Sequence, residues 1–195
     1  MKKEFKKKIV IQFKIIATQE YLVKHKVSLF SFLSSGYWPF HSVPKIPIEK
    51  LEKQYAEGYF NSESNKTFLI LNEVGSIIGV IRLFDLGSGK DDDETPLFDI
   101  KIKEEYRGKG IGKQALSWLT DLVFTNYPNK LRFEATTRVD NIAMRKVFEY
   151  CGFVKEAHYR QAWPDAEGNR YDCTGYAILR SDWLNKTKTP VKFEL

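Results

Sequence analysis

The chain holds only two cysteines, Cys151 and Cys173, among its 195 residues. Their separation fits no zinc spacing. So few thiols exclude a disulfide-stapled scaffold and point to a reducing compartment. The three histidines, His25, His41 and His158, show no metal spacing either. No metal is expected, and none of the three stands out as a catalytic base. No apolar run approaches the roughly 20 residues of a membrane span. The opening cations Lys2, Lys3, Lys6, Lys7 and Lys8 lack the apolar stretch of a signal peptide, so a cytoplasmic location is the expectation. There is no internal repeat, no linker and no nucleic-acid-binding motif. The net charge of +6 is spread, and part of it sits in the solvated start. Membrane and nucleic acid are therefore set aside as partners.

What is present is a globular composition, 43% hydrophobic and 14% aromatic, enough for one domain with a sizeable core. Residues 1–8 read as a basic flexible N-terminus, 9–184 as a single domain and 185–195 as a flexible tail. Hydrophobic periodicity and turn residues give strands at Ile9 to Ile16, Thr67 to Asn72, Ile77 to Phe84, Leu97 to Lys103, Leu131 to Thr137, Phe153 to Trp163 and Tyr171 to Arg180. Helices are predicted at Thr18 to Leu33, Ile48 to Phe60, Gly112 to Thr125 and Asn141 to Cys151, the last capped by Asp140 or Asn141 and ended by Gly152. The segment 87–94, with Asp91, Asp92, Asp93 and Glu94, reads as an acidic flexible loop. The order implies an α/β or α+β domain, a mixed sheet with helices on its faces.

The most informative stretch is Arg107-Gly108-Lys109-Gly110-Ile111-Gly112, a Gly-rich turn between a strand and a helix. Such a turn presents backbone N–H groups and the positive end of a helix dipole, and Arg107, Lys109 and Lys113 add full charges. A ligand carrying phosphates is implied. A P-loop is excluded, because Arg107 stands where its first Gly belongs and Gln114 replaces the Ser or Thr. A dinucleotide fingerprint is excluded because Lys113 occupies its third Gly position.

The remaining pattern, [RQ]-x-x-G-x-[GA] over Arg107 to Gly112, resembles the acetyl-coenzyme A pyrophosphate loop of the GNAT N-acetyltransferases. A second block, D-N-I-A-M-R-K-V-F-E-Y-C-G-F from Asp140 to Phe153, is similar to a helix of the same family and lies at the right distance. Within the superfamily the chain most resembles the branch that holds the ribosomal-protein N-terminal acetyltransferases, a branch that also contains many small-molecule acetyltransferases. The resemblance covers about residues 65–183. It implies a mostly antiparallel central sheet of about seven strands whose central parallel pair splays apart. It further implies that backbone groups of Ile100, Lys101 and Ile102 receive the pantetheine arm, and that the Arg107 to Lys113 loop binds the pyrophosphate. Asn141 is then a cofactor or substrate contact; as a sequence feature alone it is a helix cap.

The activity implied is acetyl transfer from acetyl-CoA to a primary amine by direct attack on the thioester. The acceptor is a protein N-terminus or a small-molecule amine. A homodimer stays open, as does a non-catalytic acyl-CoA-binding sensor module. The reaction needs a base for the amine, donors for the carbonyl oxygen and a proton for the thiolate. Glu134 is the candidate base. Its alternative reading is an ion-pair partner of Arg132 or Arg138, and Asp99 is the rival carboxylate. The family's acid positions hold Phe148 and Met144 here, and neither donates a proton. Tyr150, Cys151, Tyr159 or water could supply it. Trp38, Phe40, Tyr159 and Trp163 are candidate walls of an acceptor pocket.

Overall fold

The computed structural model describes residues 12–16 (backbone only), 19–87 and 95–192. The basic start 1–8 and the acidic residues Asp91 to Glu94 lie outside the described residues. The chain runs β1 (Gln12–Ile16), α1 (Gln19–Ser35), α2 (Ile48–Ala56), β2 (Lys66–Leu71), β3 (Ile77–Phe84), β4 (Leu97–Ile102), a 3-10 turn (Glu104–Tyr106), α3 (Ile111–Asn126), β5 (Arg132–Arg138), α4 (Ile142–Tyr150), β6 (Val154–Pro164), β7 (Arg170–Leu179) and α5 (Arg180–Asn185). The element order matches the sequence reading up to β7, and α5 is an addition. The predicted second helix ends four residues early. Tyr59 N–H turns back to the Gln54 carbonyl while Gly58 takes φ +73°.

The runs Lys66–Leu71 and Ile77–Phe84 are mostly buried on both faces because helices cover both sides of them. Phe68 and Ile70 of β2 face α3, where Ala115, Leu116, Leu119 and Val123 are fully buried. Their neighbours Leu69 and Leu71 point the other way, onto Leu29, Phe30 and Leu33 of α1 and Leu51 of α2. Strand alternation thus divides one strand between two cores.

The seven strands do not form one sheet. They make a four-stranded antiparallel sheet, β1-β2-β3-β4, and a three-stranded one, β5-β7-β6. This corrects the expectation of a single seven-stranded sheet. β4 and β5 meet near their starts, where Glu134 N–H donates to the Pro96 carbonyl at 3.3 Å, and no register between them continues from there. The crossover through α3 brings the two strands side by side, and their divergence ends the ladder. What holds the sheets together is side chains: Phe98 of β4 packs on Phe133 of β5, Phe148 of α4 and Phe153, with ring centroids 5.0–6.2 Å apart.

The segment after β7 is anchored. Arg180 donates to the carbonyls of Phe124, Tyr127 and Lys130, and Asp182 accepts from Thr187 and Thr189.

Candidate active site

The divergence of β4 from β5 decides which backbone groups are available. Lys103 N–H donates to the Ile78 carbonyl of β3. In an antiparallel ladder alternate residues face the partner. With the register Val80↔Lys101 and Gly79↔Ile102, Lys101 turns its backbone to β3, while Ile100 and Ile102 turn theirs to the gap. Of the three residues expected to offer backbone groups, two therefore do so. The Ile102 carbonyl accepts from Arg107 Nε at 2.9 Å, which leaves the N–H groups of Ile100 and Ile102 facing the opening.

The Gly-rich turn follows directly. Gly108 and Gly110 have φ of +71° and +82°, a region costly for any residue with a Cβ. Gly110 caps α3 with no side chain over its first turn, so the leading N–H groups point outward unpaired by a cap. Gly112 serves a different need: a Cβ there would sit 3.4 Å from Val147 of α4. The turn, α4 and the β4 edge enclose a cavity of about 360 Å³. Its polar lining includes Lys101, Arg107, Lys113, Asn141 and Lys146. Lys109 and Lys113 lie over the rings of Tyr106 and Tyr150. The cradle and cations fit a pyrophosphate-bearing ligand.

Two expected ligand contacts also have internal partners. Arg107 Nη2 donates to the Tyr37 carbonyl at 2.8 Å, tying the turn to the α1–α2 connection. Asn141, rather than Asp140, caps α4: it accepts from Met144 N–H and donates to Thr137 Oγ1. Asp140 instead holds Arg138. Asn141 remains on the cavity wall.

A second cavity of about 200 Å³ adjoins the first and shares His41 and Lys101 with it. His41 reaches this junction from an irregular loop that is tightly fixed. Trp38 is 2% exposed, donates from its indole to the Leu33 carbonyl, and leaves no room for a Cβ at Gly36, which would lie 2.0 Å from its ring. Trp38, Phe40 and His41 line the larger cavity. Tyr159 and Trp163 line neither cavity, because β6 carries them away from the junction.

At the junction Asp99 is ion-paired with Lys101, and His41 Nδ1 stands 3.6 Å from Asp99 Oδ1 and 3.5 Å from Lys101 Nζ. Burial pushes the His41 pKa down, and the Lys101 and Arg107 charges add to this against the pull of Asp99; it settles at about 4. The imidazole is therefore neutral at pH 7. Burial works to raise the Asp99 pKa, but Lys101, His41 and Arg82 outweigh it and hold it at about 2. No sequence signal marks His41, which lies in a loop between two prolines.

Glu134 is not at this junction. Its carboxylate is held by Arg132 Nε and Nη2 at 3.0 and 2.7 Å, and Arg132 also binds Glu156. Phe148 is 1% exposed in an aromatic cluster with Phe98, Phe153 and Tyr176. Burial pushes the Cys151 thiol up, the opposite of an activated nucleophile. Among the described residues no group of three or more His, Cys, Asp or Glu could hold a metal, and no helix is long and apolar enough to cross a membrane.

The family model described as acetyltransferase (GNAT) family matches residues 31–153. No curated protein matches by sequence. Among solved structures, a chimera of the spermidine N-acetyltransferase SpeG from Vibrio cholerae and hSSAT superposes with a TM-score of 0.71 at 22% identity, covering 89% of this chain and 99% of that one. The spermidine N-acetyltransferase from Vibrio cholerae in complex with CoA and spermine gives 0.66 at 23% identity, with the same coverage of 89% and 99%. A dodecameric structure of the Vibrio cholerae enzyme gives 0.66 at 21% identity, over 91% and 99%. At these identities the likeness speaks for the fold.

Proposed function

The chain belongs to the acetyltransferase (GNAT) family and is an acetyl-CoA-dependent N-acetyltransferase, and we propose that its acceptor is a small-molecule primary amine and its base is His41. Two observations support a small acceptor. The solved structures that the fold resembles are those of spermidine N-acetyltransferases. The second cavity, at about 200 Å³, has room for roughly six or seven water-sized groups of ~30 Å³. The observation that carries the reading is the meeting of the two cavities at His41 and Lys101.

Acetyl-CoA supplies the acetyl group as a thioester. The outward N–H groups of the α3 first turn, with Lys113 and Lys109 beside them, hold its pyrophosphate, and the free edge of β4 holds its arm. Arg107 shapes this site by joining the Ile102 and Tyr37 carbonyls. The acceptor enters as an ammonium from the second cavity. His41, neutral at pH 7, takes one proton, and the new charge has the Asp99 carboxylate 3.6 Å from Nδ1. The free amine then attacks the carbonyl carbon. The N–C bond forms, the C–S bond breaks, and the N–H of Ile102 or Ile100 faces the charge that builds on oxygen. The thiolate takes a proton from water, and the second amine proton leaves to solvent. A thiol with a pKa comparable with ~8.5 needs no dedicated acid, which accords with Phe148 and Met144 in the family's acid positions.

The test is thiol release from acetyl-CoA with a panel of small amines and N-terminal peptides. Turnover of small amines in preference to peptides is expected. Peptide turnover with inert small amines would overturn the acceptor class. Acetyl-CoA binding without thiol release from any amine would favour a binding module over an enzyme.

A further inference from the structure

The second cavity holds polar groups that the transfer of an acetyl group does not use. Thr67 and Arg82 face each other across β2 and β3, and Arg82 faces Asp99 across β3 and β4. All three line this cavity. Thr67 is fully buried, and its Oγ1 has no hydrogen-bond partner; neither has the buried Arg82 Nε. A buried donor left unpaired costs about 1–3 kcal/mol, a cost that a ligand accepting from both groups would offset.

The chemistry of that ligand follows from the charges. The Arg82 guanidinium is fixed between the rings of Tyr59 and Phe84, 3.9 and 3.8 Å from their centroids, and donates from Nη1 to Asn65. Among the described residues it has no carboxylate within ion-pair distance, since Asp99 is taken by Lys101. The lining sets three cations, Lys50, Arg82 and Lys101, against the single carboxylate of Asp99. Such a wall repels a polycation. A rigid guanidinium with a free Nε–H beside a free hydroxyl is suited to an anion.

We propose that the acceptor is an amine that also carries an anionic group, which seats on Arg82 Nε and Thr67 Oγ1 while the amine reaches His41. The inference rests on the acetyl-transfer reading and narrows its acceptor class. It also separates this chain from the spermidine acetyltransferases whose fold it shares.

Thiol release is compared for 4-aminobutyrate, 3-aminopropylphosphonate, butylamine and 1,4-diaminobutane, amines of similar basicity that differ in their second group. The expected result is a kcat/KM at least tenfold higher for an anionic acceptor than for butylamine, with the diamine lowest. The carboxylate and phosphonate arms show which anion is preferred. Thr67→Val keeps the volume and removes the hydroxyl. It should raise KM for the preferred anionic amine at least fivefold with kcat little changed, and Arg82→Lys should bring the anionic-to-neutral ratio toward one. Butylamine or the diamine matching or exceeding the anionic amines would overturn the inference and leave the transfer reading intact. No thiol release from any amine, with acetyl-CoA bound, would overturn both.

Discussion

His41 Nδ1 stands 3.6 Å from Asp99 Oδ1, and this pair marks the wall where the two cavities meet. One residue comes from an irregular loop and the other from β4. Their proximity depends on Trp38 filling the core and on Arg107 fastening the Gly-rich turn to Tyr37.

His41→Gln should lower kcat/KM by roughly 10²-fold or more, the usual contribution of a general base. Because His41 titrates at about 4 and the acceptor binds as its ammonium, the wild-type kcat/KM should be nearly flat between pH 6 and 8. Glu134→Gln should retain near-normal rates and lose at most about 1 kcal/mol of stability, as expected for a partly exposed ion pair. A large loss at Glu134 with a small one at His41, measured by initial rates, would reverse the assignment.

Stability should fall as the pH drops from 6.5 to 4. The folded His41 stays neutral over that interval while the unfolded chain binds a proton, so the contribution is complete above pH 6.5 and lost as the pH falls through about 4. At 1.36 kcal/mol per unit, discounted for partial exposure, the loss is about 2 kcal/mol. Asp99, held at about 2, contributes in the same sense at lower pH, above its ordinary carboxylate range and lost as the pH falls through 2. Urea titrations of wild type and His41→Gln at several pH values would show the slope between 6.5 and 4 in the first and its flattening in the second.

Gly110→Asp should weaken acetyl-CoA binding at least tenfold, ~1.4 kcal/mol, by placing a carboxylate at the α3 first turn. Gly110→Ala separates strain from charge. Both variants force φ +82° on a residue with a Cβ, at about 1–2 kcal/mol, and neither Cβ meets a neighbour within 4 Å. Calorimetry should show most of the affinity loss in the Asp variant only.

Phe148→Tyr restores the residue type found in many members of the family, yet it should not speed the reaction. The ring lies 4.8 Å from that of Tyr176, centroid to centroid, inside the aromatic cluster. A hydroxyl left unpaired in that cluster would cost about 1–3 kcal/mol. Thermal unfolding combined with maximal rates checks both halves; a rate gain above tenfold would show that a missing acid limits turnover.

The element order up to β7 and the Gly-rich turn before α3 were legible in the chain, because both are written locally. Apolar runs at strand spacing, the glycines at Gly108 and Gly110, and the block from Asn141 to Gly152 keep their meaning wherever the chain goes. The sequence did not determine the division into two sheets, which follows from β4 and β5 diverging after one backbone bond. Nor did it separate Lys101 from Ile100 and Ile102, since the ladder's alternation is set by pairing with β3. The acceptor side was the least legible. His41, Thr67, Arg82 and Asp99 lie on four different segments, and of the four only Asp99 stood out in the sequence, as the rival carboxylate to Glu134. Only the tertiary structure, by burying an unpaired hydroxyl and an unpaired guanidinium N–H beside a neutral imidazole, decided that they share one wall.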